Sequence, residues 1–409
     1  MAIAISRDLI WQRRLRIYPL LVLAALAAAF VFVIAAGSGS DTAGGRVGGD
    51  FPAFYGAGSI VAAGNIDRLY EPAVQAEAQT GLLGDEDGFI MYPYAPHVAA
   101  AYAPLTELPY RSAYVLHSAL MVGALVGALW MIRPMVPMIG RWFGASLATA
   151  VTAYPVFVGV LGGQNTALSV LLIAATWRCW HDDRDGLSGL ALTLLLFRPQ
   201  YALPLIGLAL LDRRWRSVGV AILGTAALWC ANAAIAGSSW LTTWYAGVRP
   251  LLEADAKINA ANEIAPTGVL VALFGESTLA VAAGGLVSAA IAVGLMVLWW
   301  RRLVDLTSRM VITAAALPLL GPHAIYYDSA LLVFAVFVLL DRHRLSPLGA
   351  GVIWAAGLVH LGSASIGASP LIVVIATVFA ITTRRLLDTG QPAVESDRVL
   401  PIQDSYSLR

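Results

Sequence analysis

Lysine is all but missing from this chain of 409 residues: Lys257 stands alone. Charge of any kind is scarce, at 12% of residues, where soluble domains carry about a quarter. A water-facing exterior cannot be built from so little charge. Cysteine falls to two, Cys179 and Cys230, both in apolar stretches, so they read as core thiols and not as a disulfide or a thiolate metal site. A formal net charge of +1 leaves no basic footprint for nucleic acid. HExxH, CxxC, Walker A and dinucleotide signatures are all missing, so neither a metal nor a nucleotide cofactor is expected. The nearest acidic run, Asp85-Glu86-Asp87, reads as solvated charge.

What the chain has instead is apolar length. Hydrophobic residues make up 59% of it and the mean hydropathy is +0.74. A helix needs about 20 apolar residues to cross a bilayer, and stretches 18–36, 113–132 and 279–300 supply that without an internal charge. The runs are continuous and not alternating, which favours helices over a barrel. The expected fold class is therefore all-α, a polytopic integral membrane protein. Twelve hydrophobic passages can be drawn, at about 17–36, 110–132, 143–161, 165–180, 187–197, 200–211, 217–236, 278–300, 310–320, 324–340, 346–363 and 367–383. They form one transmembrane domain, 1–383, with a polar tail, 384–409. The first run is too long for the apolar part of a signal peptide and reads as an uncleaved helix, although Ala35-Ala36-Gly37 has the small residues of a cleavage site.

With lysine gone, arginine sets orientation. Clusters at 7–16, 133–141, 178–184, 213–216, 301–309, 342–344 and 384–385 all fall on one side of such a topology. By the positive-inside rule that side is cytoplasmic, with both termini. Polar loops 37–97 and 237–266 then face outward, the first carrying an acidic excess. Two passages, 187–197 and 200–211, are too short to cross singly and meet at Arg198-Pro199, so they read as a broken pair lining a cavity. The pair meeting at Gly321-Pro322-His323 repeats that logic, with a second arm long enough to span.

Chemistry-bearing residues concentrate at these edges and breaks. Asp50, in GGDFPAFYGAG, is a carboxylate at the membrane boundary beside Phe51, Phe54 and Tyr55, suited to general-base work. It is equally placed to cap the helix that Phe51-Pro52 begins. The stretch 89–110, with Tyr92, His97 and four prolines, reads as an aromatic wall or an interfacial belt. Gln164 and Asn165 follow a Gly-Gly turn and offer amides to sugar hydroxyls, or simply begin a helix. Arg198 lies deep in an apolar run, where a charge is expensive and demands a partner. That partner is a phosphate, which its planar fork matches, or a carboxylate such as Asp328. His323 precedes Tyr326, Tyr327 and Asp328 at the second break and can donate to a phosphate or pack against carbonyls. Trp240, Trp244, Tyr245, Arg249 and Asn259 suggest a sugar-stacking rim or interfacial anchors. A carrier of an anionic or lipid-linked solute also uses broken helices and a buried arginine. No internal repeat supports two transporter halves.

Taken in order, GGDFPAFYGAGSIVAAGNIDRLYEP, FIMYPYAPHVAAAYAPLTELP, GQN at 163–165, FRPQYALP at 197–204 and GPHAIYYDSALL at 321–332 resemble the landmarks of glycosyltransferase family 87 across about 45–340. The resemblance implies a GT-C membrane glycosyltransferase fold. It implies transfer of mannose or another hexose or pentose from a polyprenyl-phosphate donor to a glycan or glycolipid acceptor, without a required metal. The site would lie on the outer face of a bacterial plasma membrane. It puts Asp50 in the role of general base and Arg198-Pro199 and His323 at the donor phosphate. Tyr55, Tyr92, His97, Gln164, Asn165 and Tyr327 become candidates for substrate contact. Arg198 stands where the family usually has lysine, and Tyr94 where a second proline is common.

Overall fold

The computed structural model describes residues 17–32, 48–80, 82, 89–321 and 323–388. Within them every regular element is a helix, and extended structure is confined to isolated bridges such as Glu263 with Ile325. The all-α expectation therefore holds for the described residues. Arg7 to Arg16, the possible cleavage site, Asp85-Glu86-Asp87, Pro322 and the tail beyond 388 lie outside them.

Proline at the first turn starts many of the helices, because its missing N–H costs nothing there. Helix α1 is Ile17–Phe32. Phe51–Ala62 (α2), Pro72–Gln79 (α3) and Pro96–Tyr102 (α4) follow, each with such a proline. Tyr110–Ile132 (α5) is a full-length apolar helix. A short helix, Pro137–Arg141 (α6), leads to Phe143–Thr152 (α7) and Tyr154–Leu161 (α8). Next come Thr166–His181 (α9), Asp185–Leu194 (α10), Pro199–Leu211 (α11) and Trp215–Ala236 (α12). The remainder are Trp240–Ile258 (α13), Pro266–Phe274 (α14), Thr278–Trp300 (α15), Leu306–Leu320 (α16), Leu332–Asp341 (α17), Pro347–Ala356 (α18), Ser363–Ile366 (α19) and Leu371–Leu387 (α20).

Four described stretches are long and apolar enough to cross a membrane: α5, α12, α15 and the run Pro347–Ile366. A fifth exists if α7 and α8 count as one span, although they bend by 72°. The twelve expected passages counted apolar stretches, and several of these are too short to cross singly. The bend in 143–161 comes at Ala153, which is extended, two residues before Pro155 removes a backbone donor. The arm 324–340 is not one spanning helix: a 3-10 turn, Tyr326–Leu331, precedes the ten-residue α17. Its buried Asp328 accepts from Ile325 N at 3.2 Å, a local bond that competes with helix continuation.

The described parts of loops 37–97 and 237–266 contain helices. The first folds α2 and α3 against α4, held by two glutamines one helical turn apart. Gln79 both donates to and accepts from the backbone of Ile90, each at 2.8 Å. Gln75 accepts from Tyr92 N at 2.9 Å and donates to Leu69 O at 2.9 Å. The second loop is mostly α13, whose Trp244 donates to Pro93 O at 2.8 Å. Cys179 is half-buried and Cys230 is exposed, so the expectation of core thiols fails for both. Helix α12 presents much of its apolar surface outward, Leu223 at 71% exposure, as a lipid-facing helix does.

The arginine clusters among the described residues converge on one end. Buried Asp212 accepts from Arg214, Arg302 and Arg309 at 2.9, 2.9 and 2.7 Å, and Arg214 also reaches Asp185 at 2.8 Å. Arg342 pairs with Asp305, and Asp341 accepts from Met138 N. At this end α9, α11, α15 and α17 close alike, with Asp183, Arg213, Arg302 and His343 in the left-handed region. In each case the following amide reaches back five residues to a carbonyl of the last turn, as in Arg214 N to Ala209 O at 2.9 Å. Helix α16 runs buried through the middle.

Candidate functional site

Two glycine turns build the site. Gly48 and Gly49 precede α2, Gly162 and Gly163 precede α9, and the two turns interlock backbone to backbone. Asp50 N donates to Gly162 O at 2.8 Å. Gly163 has φ +65, and a Cβ there would lie 2.5 Å from Phe51 Cβ and 2.6 Å from Gly48 O. Only glycine tolerates both the dihedral and the crowding. We expect Gly163→Ala to cost more than about 1 kcal/mol, since alanine at positive φ exceeds the usual glycine penalty. Thermal unfolding of the purified protein measures it. Gly123→Ala, within α5 and with nothing within 4 Å of the added methyl, is the control expected not to lower the transition.

The interlock sets Asp50 beside the head of α9. Asp50 occupies the cap position of α2, yet its side chain makes no cap bond. The carboxylate instead accepts from Gln164 Nε2. Gln164 Oε1 in turn accepts from Arg198 Nη2 at 3.3 Å. Arg198 also donates to Asn165 Oδ1 at 3.1 Å and to Asp328 Oδ1 at 2.5 Å. Tyr94 OH donates to the same Asn165 oxygen at 3.4 Å. Burial pushes the Tyr94 hydroxyl upward, so it stays protonated and able to donate.

Arg198 gets there because of Pro199. A residue before proline is kept out of the helical region, and Arg198 sits at φ −124, ψ 79 between a 3-10 turn and α11. The helix breaks, the side chain turns inward, and the residue is 3% exposed. The carboxylate alternative for its partner is the one the structure shows. A guanidinium has five N–H donors, so these three bonds do not exhaust it. Gly321 repeats the device before Pro322, at φ −71, ψ 151.

Residues 321 and 323–328 lie beside these groups. Gly321 adjoins Gln200 on α11, Tyr327 Cβ packs on Gly159 of α8, and Asp328 reaches Arg198. The Tyr327 ring lies 5.8 Å from the guanidinium of Arg198. Tyr326 stacks on His360 with ring centroids 4.1 Å apart. His323 pairs with Glu263 through Nδ1.

Five of the nine sequence candidates thus come together: Asp50, Gln164, Asn165, Arg198 and Tyr327. Three lie behind them. Tyr55 donates to Leu108 O at 2.9 Å. Tyr92 is fully buried and meets Phe54 edge-on. His97 is tied to Asn232 of α12, through its backbone amide at 2.8 Å and its ring, and burial holds the imidazole below its ordinary range. His323 is bonded outside the Asp50–Arg198 chain. The sequence reading missed Glu263 as its partner and passed over Tyr94, whose only signal was its place in a Tyr-Pro-Tyr step. Behind the site, Phe51, Phe54, Tyr102 and His117 stack into one aromatic block.

A separate cavity of about 1000 Å³ lies between α1, α7, α17 and α18, apolar for most of its length. Asp50, Gln164 and Arg198 do not line it; its lining includes Ser329 and Ala330, the residues after Asp328.

The sequence model of glycosyltransferase family 87 matches residues 92–322. No curated protein matches the chain.

Proposed function

The chain belongs to glycosyltransferase family 87, and from that premise we propose that it moves a sugar from a polyprenyl-phosphate donor to an acceptor hydroxyl, with Asp50 as general base. The observation that supports this reading is the unbroken line of hydrogen bonds Asp50–Gln164–Arg198–Asp328, which joins a carboxylate to a buried cation.

Asp50 removes the proton of the acceptor hydroxyl as that oxygen bonds to the anomeric carbon. The bond from that carbon to the phosphate oxygen breaks, and polyprenyl phosphate departs with the electron pair. Attack opposite the phosphate inverts the anomeric configuration. Gln164 holds Asp50 in one rotamer. Its own amide cannot flip, because Oε1 is committed to Arg198 and Nε2 to Asp50. Asp328 offsets the charge of Arg198, so the guanidinium meets a phosphate as a directed donor in a water-poor setting more than as net charge. His323 supplies a second contact to the leaving oxygens. Tyr327 and Asn165 contact the sugar, with Tyr55, Tyr92 and His97 supporting the wall behind. The donor's hydrocarbon tail takes the apolar cavity beside Ser329.

The setting is a bacterial plasma membrane with both termini cytoplasmic and the site extracytoplasmic, on a GT-C scaffold. Mannose is the first donor sugar to test, ahead of other hexoses and pentoses, and the acceptor is a glycan or glycolipid. Neither metal nor nucleotide is needed, since the donor brings its own activated phosphate.

Incubating the purified protein with a panel of polyprenyl-phosphate sugars and following donor consumption tests this. We expect one donor to be consumed in an acceptor-dependent way, undiminished by a chelator. Consumption of none, with movement of a lipid-linked solute across proteoliposomes, would establish a carrier instead.

A further inference from the structure

The structure points to a residue outside the Asp50 chain: we propose that Glu263 is the positioning residue for His323. Glu263 closes the turn Ala260–Asn262 just before α14 and is 3% exposed, whereas the His323 side chain is 36% exposed. Its two oxygens are divided. Oε1 meets His323 Nδ1, and Oε2 accepts from Ala324 N at 3.2 Å. The backbones are joined as well, through the bridge to Ile325 and through Ile264 N to Ala324 O at 2.8 Å. Gly268, one turn into α14, completes the seat: a Cβ there would come within 2.8 Å of Oε2.

An ionised carboxylate only accepts. The pairing engages Nδ1 of His323, and the ring is left with Nε2 as its working atom. A carboxylate behind an imidazole, fixing its tautomer and its orientation, is the arrangement that tunes histidines elsewhere in enzymes. Here it comes from a different stretch of chain, the turn that follows α13. Residue 323 lies between Gly321, which adjoins Gln200 on α11, and Asp328, which pairs with Arg198. Glu263 thereby ties the α13–α14 connection to the donor side of the site. The assignment rests on the reading that His323 meets the donor phosphate.

The test is a double-mutant cycle on the purified enzyme with its consumed donor. Glu263→Gln keeps the volume and the amide contact but loses the charge. It should lower kcat by about 10–100-fold, as loss of a partner behind a working histidine does, with KM for the acceptor unchanged. His323→Ala should lower kcat at least as much. In the His323→Ala background Glu263→Gln should have no further effect, because both act through one imidazole. Equal losses from Glu263→Gln with and without His323 would make Glu263 merely structural and overturn the assignment. So would a normal kcat in Glu263→Gln beside a depressed one in His323→Ala. Full activity in His323→Ala would remove the donor-site reading of that histidine, and the role of Glu263 with it, while leaving Asp50 in place.

Discussion

Asp50→Asn lowers sugar transfer by about 10²- to 10⁴-fold, the span that a positioned general base contributes, and leaves the thermal unfolding transition where it was. The second half of that expectation comes from the geometry. The substituted amide keeps an oxygen that can accept from Gln164 Nε2, and the bond from residue 50 N to Gly162 O is unaffected by the change. The interlocked glycine turns, not the carboxylate, hold α2 against α9. What is lost is the capacity to take a proton. Donor consumption by the purified variant gives the first number and calorimetry in detergent the second. Normal transfer by Asp50→Asn would remove Asp50 from the reaction.

Asp328→Ala is the second large effect, and it is one of stability. It leaves the Arg198 guanidinium buried with no carboxylate, and breaking a buried pair from one side costs about 3–5 kcal/mol. Replacing both partners, Arg198→Met with Asp328→Leu, takes the charges away together and should restore most of the stability, as apolar replacements of buried pairs commonly do. The same double variant should remain unable to transfer sugar. Stability and catalysis would thereby separate: the fold needs the pair to be complete or absent, and the proposed mechanism needs the arginine. A double variant that transfers sugar at the normal rate would show that Arg198 serves only the fold.

The parts of the site legible in the sequence were those out of place in an apolar chain. Arg198 inside a hydrophobic run and Asp50 at the mouth of a helix both violate the solvent they sit in, and such violations need reasons. The break at Arg198-Pro199 was readable because proline constrains its predecessor. Glu263 was invisible because an acid in a polar stretch looks like any other solvated acid until a backbone bridge buries it. The helices within 37–97 were hidden for a related cause. Gln75 and Gln79 satisfy the backbone of residues 69, 90 and 92 from a distance in sequence, and no local pattern announces that. A passage read from composition does not give the length of the helix within it. Pro155 signalled a bend in 143–161, and Asp328 was too polar to sit in the middle of a span. The capping role of Asp50 failed because Gln164 competes for the carboxylate.

The shared carboxylate at the arginine-rich end sets the smallest piece of this protein that can exist by itself. Asp212 belongs to the end of α11, while Arg302 and Arg309 come from beyond α15. A chain severed between α12 and α15 would leave Asp212 with Arg214 alone in one fragment and strand the buried Arg309 in the other, in surroundings that punish an uncompensated charge. The halves are thus obligate companions, and the hydrogen-bonded line that draws Asp50 and Gln164 from one and Asp328 from the other inherits that indivisibility.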